Sequence, residues 1–148
     1  MTKTLSIGVA AFVLGFATPA LAQSDAAGRI KSVSGAAFIV RQNTSIPAQP
    51  GQTVYENDSL KTSGDGFVGL TLKDDTLLSL GPNSEVHLDH FVFSPGEGRL
   101  GFALRIARGL VAYVSGRIAK LSPDAVRLET PSGIVGVRGT RLAIRVAP

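Results

Sequence analysis

The chain alternates between short apolar runs and turn-forming residues. Runs of 4–8 residues rich in Val, Ile, Leu, Phe and Thr are separated by pairs or triplets that contain Gly, Pro, Asn or Asp, which is the pattern of short β-strands joined by turns. The predicted turns are Ser34-Gly35, Pro50-Gly51, Gly64-Asp65-Gly66, Asp74-Asp75, Gly81-Pro82-Asn83, Pro95-Gly96, Arg108-Gly109, Ser115-Gly116, Pro123-Asp124 and Pro131-Ser132-Gly133. Only residues 116–121 would allow a helical turn. The sequence therefore predicts an all-β fold of about ten short strands.

Several of the runs alternate apolar and polar residues with the period of two that a β-strand imposes. The apolar faces are Leu100, Phe102, Leu104 and Ile106; Val86 and Leu88; Val126 and Leu128; and Leu142, Ile144 and Val146. The opposite faces carry Arg99, Arg105, Arg127, Arg141 and Arg145. A strand with one solvent-exposed face and one buried face is typical of antiparallel sheets and of solenoid coils. We therefore expect a compact sandwich, barrel or β-solenoid-like domain.

The first 22 residues have the layout of a bacterial signal peptide. Lys3 supplies a positive start, residues 5–16 are an apolar run, Thr18-Pro19 interrupts it, and Ala20-Leu21-Ala22 fits a cleavage site. The run is short for a membrane span, which needs roughly 20 apolar residues. We predict cleavage before Gln23, export to the periplasm or beyond, no membrane anchor afterwards, and a single domain over residues 23–148.

Composition narrows the chemistry of the predicted domain. The chain has no cysteine, which excludes disulfides, thiolate metal sites and thiol nucleophiles. The two histidines, His87 and His90, are three residues apart, so on a regular strand they would point to opposite faces. Asp74-Asp75 lies between two apolar runs and is interpreted as a turn rather than as a carboxylate pair. The sequence thus predicts no enzyme, no metal site and no cofactor.

Charge is distributed unevenly along the chain. Residues 23–98 hold five Lys or Arg against nine Asp or Glu, whereas residues 99–148 hold nine against two. Such asymmetry indicates either two halves that pair with each other or a basic face for an anionic partner. Nucleic acid is not expected in the periplasm, so the candidate partners are an envelope protein or an anionic polymer. The oligomeric state is left open.

The most patterned stretch is "TPSGIVGVRGTRLAIRV", Thr130 to Val146. Its glycines at 133, 136 and 139 do not have the spacing of a dinucleotide fingerprint, and no Lys follows Gly139 as a P-loop requires. The residues after Gly139 alternate as a strand instead of forming a helix. A bulge at Arg138-Gly139 would bring the two flanking runs into phase.

This stretch resembles the closing signature of the FecR domain family, in which Thr-Pro-x-Gly leads into Val-Arg-Gly-Thr and a last strand. The middle stretch "TLKDDTLLSLGPNSEVHL" and the earlier "PGQTVYENDSLKTSGDGFVGLTL" are also similar to that family. The resemblance runs from about Gly28 to Val146. It implies an all-β fold and an exported binding or interaction module. The anti-sigma segment, membrane helix and further periplasmic domain of the iron-siderophore regulators have no counterpart in this sequence, so sigma-factor regulation is not expected.

Two groups of residues follow from this interpretation. The resemblance assigns a structural motif to Thr130, Pro131, Gly133, Val137, Arg138, Gly139 and Thr140, with Arg138 supporting the fold. The candidate binding residues are Arg99, Arg105, Arg127, Arg141 and Arg145. The alternative interpretation is that these arginines only form a solvent-exposed face of the sheet and bind no partner. The predicted function is a non-catalytic binding module of the cell envelope, and the alternative is a structural subunit of an envelope or surface assembly.

Overall fold

A computed structural model describes residues 8, 15–17, 25–137 and 141–147 of the chain. Over these residues the backbone forms twelve strands, one short helix and two 3-10 turns. The strands are β1 (Ala26–Ser34), β2 (Ala37–Arg41), β3 (Thr44–Pro47), β4 (Thr53–Tyr55), β5 (Ser59–Thr62), β6 (Phe67–Leu72), β7 (Leu77–Leu80), β8 (Glu85–Ser94), β9 (Arg99–Val114), β10 (Val126–Thr130), β11 (Gly133–Val135) and β12 (Arg141–Val146). The helix α1 spans Arg117–Leu121, and the 3-10 turns span Pro95–Glu97 and Pro123–Ala125. The all-β prediction and the single helical turn are confirmed.

One long strand, β9, joins the two halves of a curled sheet. Its first part pairs with β8 on one side and with β10, in parallel, on the other. Its second part pairs antiparallel with β7 and β12. From β9 the sheet continues through β8, β5, β2 and β3 in one direction and through β7, β6, β1 and β4 in the other. The strand β12 has β9 as its pairing partner and therefore forms an edge of the sheet.

The strand β9 bends at Gly109, where the sequence predicted a turn. Gly109 has a φ of 97°, and a Cβ at this position would overlap the Cα of Ser84. The Oγ of Ser84 accepts a hydrogen bond from the backbone N–H of Leu110 at 3.0 Å. Burial falls on residues 102, 104 and 106 before the bend and on residues 111 and 113 after it. The turn prediction is wrong because the strand continues through a phase change instead of ending.

The core is one contiguous cluster to which both halves of the sheet contribute. Phe102 and Tyr113, on either side of the bend, stack with ring centroids 6.2 Å apart, and Phe91 meets Phe102 edge-on at the same distance. Other fully buried side chains are Ile30, Ile39, Leu78, Leu80, Leu104, Ile106, Ile118 and Leu128. Burying each such side chain contributes roughly 1.5–3 kcal/mol, so the dry faces predicted from the alternation hold the two halves together.

Turn residues separate the strands at the other predicted positions, and one of these turns also has a buried role. Asp75 adopts a φ of 68° between β6 and β7. The carboxylate of Asp74 is buried and accepts hydrogen bonds from Thr76 N at 3.1 Å, from Thr76 Oγ1 at 2.7 Å and from Ile118 N at 3.2 Å. Arg117 N also donates to the Asp74 carbonyl at 2.7 Å. Asp74 therefore caps α1 and fixes it against the β6–β7 turn.

The Thr-Pro-Ser-Gly stretch forms the turn of the β10–β11 hairpin. Thr130 pairs with Gly133, and Thr130 Oγ1 donates to the Gly133 carbonyl at 3.1 Å while accepting from Ser132 N at 3.3 Å. Pro131 lies within this turn, and Val137, the last residue before the gap, is buried.

Some predictions fall on residues that the structure does not describe. The predicted structural roles of Arg138, Gly139 and Thr140 lie outside the described residues, as does nearly all of the predicted signal peptide. Among the described residues, no helix has the length and apolar character needed to cross a bilayer.

Candidate functional site

The five candidate arginines lie in two groups separated by the bend in β9. Arg99 and Arg105 are on the first part of β9. Arg127 is on the neighbouring strand β10, where it pairs with Ala103 of β9. Arg141 and Arg145 lie on β12, beside Val114 and Leu110 at the other end of β9. The structure therefore does not bring the five together into one basic patch.

Carboxylates neutralise the first group. Arg105 donates from Nε and Nη2 to the two carboxylate oxygens of Asp89. Arg127 Nε lies 2.8 Å from Glu129 Oε1, and Arg99 Nη1 lies 3.9 Å from Glu97 Oε2. Exposed pairs of this kind contribute about 0–1 kcal/mol to stability, but they leave these arginines with less unbalanced charge for a partner.

The second group, Arg141 and Arg145, has different surroundings in the described part of the chain. Within residues 25–137 and 141–147, neither Arg141 nor Arg145 has a carboxylate partner or a side-chain hydrogen bond. Both are exposed, on the same face of β12 as the exposed Ala143, while the alternate residues of β12 are half-buried. The unpaired positive charge on the described strands around β9 is therefore concentrated on the edge strand β12.

A cavity of about 800 Å³ opens beside the last residues of β12. Leu110 and Val146 contribute apolar surface to it, and Arg108 and Arg145 contribute two guanidinium groups. Arg108 is 3.6 Å from Glu85, whereas Arg145 is unpaired among the described residues. An apolar lining with two cations suits a partner group that combines an apolar part with an anionic part. We refer to β12 together with this cavity as the basic edge.

A serine–histidine–carboxylate cluster lies on the first half of the sheet. Ser59 Oγ is 2.7 Å from His87 Nδ1, and His87 Nε2 is 3.4 Å from Asp89 Oδ1. A register shift between Leu88 and His90 pairs His87 with Arg105 and His90 with Ala103. The expectation that the two histidines point to opposite faces is wrong, because the bulge at Asp89 brings both onto the outer face.

Ser59 lies within the hydrogen-bonded part of the sheet. Ser59 lies on β5 between β2 and β8, paired with Val40 on one side and His87 on the other. The backbone N–H groups of such a central strand bond to its neighbours, whereas an oxyanion hole needs N–H groups directed at the reacting oxygen. Asp89 is also held by both donors of Arg105. The cluster is best explained as cross-strand pairing on the sheet surface.

His90 is held by a different carboxylate, that of Glu56, at 3.3 Å. Among the described residues, no three His, Cys, Asp or Glu side chains converge in a way that could hold a metal ion. The two histidines are therefore each explained by a neighbouring acidic group.

A second buried carboxylate, Asp58, organises the β4–β5 turn. Arg41 donates to Asp58 from Nε at 2.9 Å and from Nη2 at 2.8 Å, and its guanidinium lies 4.7 Å from the centre of the Tyr55 ring. Tyr55 N donates to Asp58 at 2.9 Å. The hydrogen bonds to Asp58 raise the pKa of Arg41 above its ordinary value. This network is structural, because its donors and acceptors are used within the fold.

Sequence reasoning missed Arg108 of the cavity and the Ser59–His87 pair. The dipeptide Arg108-Gly109 predicts a turn, so the sequence does not identify Arg108 as a strand residue. Ser59 and His87 are 28 residues apart in the chain, and only strand pairing brings them together. Neither position carries a local sequence signal that would have identified it.

The sequence model of one protein family, described as FecR protein, matches residues 58–148. Comparisons with curated proteins and with solved structures found no match. The matched range begins within the β4–β5 turn and includes the basic edge. The strands before it are part of the same sheet, since β1 pairs with β6 and β2 pairs with β5.

Proposed function

We propose that this chain, which belongs to the FecR protein family, is an exported, non-catalytic binding domain of the bacterial cell envelope. Its partner is anionic, either an envelope protein or an anionic polymer, and it binds at the basic edge. The observation that carries this proposal is the contrast between the arginines. Arg99, Arg105 and Arg127 have carboxylate neighbours, whereas Arg141 and Arg145 have none among the described residues.

Export is supported by the N-terminal pattern. The positive start, the apolar run and the Ala-Leu-Ala sequence at 20–22 follow the order of a secretory signal. N-terminal sequencing of protein from the periplasmic fraction should begin at Gln23. Recovery of an intact Met1 from the membrane fraction would contradict cleavage.

The non-catalytic role is tested at the one cluster that resembles a hydrolase site. A fluorophosphonate probe labels serine nucleophiles that a histidine activates. Because the backbone N–H groups around Ser59 are hydrogen-bonded to neighbouring strands, they are not available to form an oxyanion hole. We therefore expect the wild-type protein to remain unlabelled, like a Ser59→Ala variant. Labelling of the wild type that disappears in Ser59→Ala would show that the chain is a hydrolase.

The binding role is tested by two double variants that reverse the same number of charges at different positions on the protein. The variant Arg141→Glu/Arg145→Glu reverses the two unpaired arginines, and the control Arg99→Glu/Arg127→Glu reverses two arginines that have carboxylate neighbours. Both variants change the net charge by the same amount. Labelled protein is titrated with poly-L-glutamate and with alginate, an anionic polysaccharide, at low and at physiological salt.

We expect the β12 variant to bind either polyanion at least about tenfold more weakly, because two attractions become repulsions. The control should bind much like the wild type, and wild-type binding should weaken as salt screens the charges. Equal loss in the two variants would show that net charge, and not the basic edge, determines binding. Binding that does not depend on salt would also contradict the proposal.

A further inference from the structure

The outer side of β12 is an unpaired sheet edge. The six residues of β12 pair antiparallel with β9, from Arg141 opposite Val114 to Val146 opposite Gly109. Within the described part of the chain no strand lies on the other side. A row of free N–H and C=O groups on such an edge can bond to an added strand.

The two faces of β12 specify what an added strand would carry. Leu142, Ile144 and Val146 are half-buried and pack against the core. Arg141 and Arg145 lie on the opposite, exposed face, four residues apart. Side chains that are directly opposite on paired strands interact, and opposite charges stabilise the pair. A complementary strand would therefore alternate apolar residues, which extend the core face, with acidic residues, which face the arginines.

A second copy of the chain does not fit this edge. Two β12 strands that pair antiparallel and keep their apolar faces together must also place their arginine faces together. Arg141 and Arg145 of one copy would then lie opposite or diagonal to those of the other, which is destabilising. The charge pattern discourages self-pairing and favours an acidic strand.

We propose that the basic edge binds its partner by strand addition, and that the partner is an extended polypeptide segment in which acidic and apolar residues alternate. This inference rests on the proposed binding function and specifies the partner class and the way it is bound. The cavity beside Arg145 and Val146 is lined by residues of β9 and of the β7–β8 turn, so strand addition to the outer side of β12 does not depend on it.

The test uses three labelled peptides with the exported protein. The first is a nine-residue peptide of alternating Glu and Val with blocked ends. The second has the same composition with its glutamates contiguous. The third is the alternating peptide with N-methyl groups on alternate residues, which remove the donors along one edge. Affinities are measured by fluorescence anisotropy, and circular dichroism checks that each protein variant is folded.

We expect the alternating peptide to bind at least about tenfold more tightly than the other two, since only it can match the face pattern and the backbone donors together. The variant Arg141→Glu/Arg145→Glu should bind this peptide much more weakly and should bind an alternating Lys–Val peptide instead. That exchange of partners could not arise from misfolding. It requires charge pairing along β12.

Three results would overturn strand addition. Equal binding of the alternating, contiguous and N-methylated peptides would show that β12 attracts anions without accepting a strand, while the proposed function would stand. Binding to phosphatidylglycerol vesicles but to none of the peptides would point to a lipid surface. If poly-L-glutamate and alginate also failed to bind, the proposed function would fail together with the inference.

Discussion

Replacing Asp74 by Asn removes one carboxylate oxygen from a buried site and should destabilise the fold strongly. Asp74 is 1% exposed. One of its oxygens accepts from Thr76 N, and the other accepts from Thr76 Oγ1 and Ile118 N. In Asp74→Asn an NH₂ group takes the place of one oxygen. If the NH₂ group replaces the oxygen that accepts from Thr76 Oγ1 and Ile118 N, the Thr76 hydroxyl can rotate and accept a hydrogen bond instead. The Ile118 N–H then faces another donor and loses its acceptor.

The magnitude follows from the donors that lose their acceptor. A buried donor left unpaired costs about 1–3 kcal/mol, and weakening the cap of a helix costs about 0.5–2 kcal/mol. These two costs describe the loss of the same hydrogen bond, the one from Ile118 N–H, and are not added. We therefore expect Asp74→Asn to lower the free energy of unfolding by about 2 kcal/mol. In Asp74→Ala all three donors lose their acceptor, and the loss should be about 3 kcal/mol or more.

The neighbouring residue provides a matched control. Asp75→Asn makes the same chemical change at an exposed position with a φ of 68°, which Asn tolerates well. It should change the free energy of unfolding by less than about 0.5 kcal/mol. Urea denaturation followed by circular dichroism measures all three variants. Equal stability of Asp74→Asn and Asp75→Asn would refute the role of Asp74 in linking the β6–β7 turn to α1.

Two further predictions concern the bend in β9 and the buried phenol behind it. Gly109→Ala should cost about 2 kcal/mol or more, because its φ is positive and a Cβ would meet Ser84. Gly96→Ala, where a Cβ has no neighbour within 4 Å, should be nearly neutral, and thermal unfolding followed by circular dichroism compares the two variants. Burial raises the pKa of Tyr113 above its ordinary 10.0, so its stabilising contribution is present below about pH 10 and is lost as the pH rises through the raised value. Urea denaturation across this range should show a smaller alkaline loss for Tyr113→Phe, and an unchanged pH dependence would contradict the prediction.

The strand pattern could be predicted because each strand has one dry face. The alternation around Leu104, Leu128 and Ile144 was evident in the sequence, and the structure buries or half-buries the same residues. Most of the turns could also be predicted, because Gly, Pro, Asn and Asp mark positions where the backbone reverses. These are local properties, and a single sequence contains them.

Features that depend on distant residues could not be predicted. Gly109 has a positive φ at the bend, and only the pairing of the residues after it with β7 and β12 shows that β9 continues beyond it. The bulge at Asp89 changes which face His90 occupies, and it is visible only in the pairing of β8 with β9.

The candidate site was predicted only in part, for the same reason. The alternation identified Arg141 and Arg145 as exposed strand residues. Whether an arginine is paired depends on which carboxylate lies beside it, and strand pairing decides that. Asp89 reaches Arg105 from the neighbouring strand, whereas no acidic residue of the described chain reaches the arginines of β12.

Amide hydrogen exchange on β12 tests most directly whether this edge is the binding site. The N–H groups of β12 that do not bond to β9 should exchange rapidly in the protein alone. They should become protected when the alternating Glu–Val peptide is added, and they should remain unprotected with its N-methylated form. NMR resolves the individual amides of residues 141–146. Peptide binding that leaves β12 unprotected, or that protects another edge strand instead, would contradict the account.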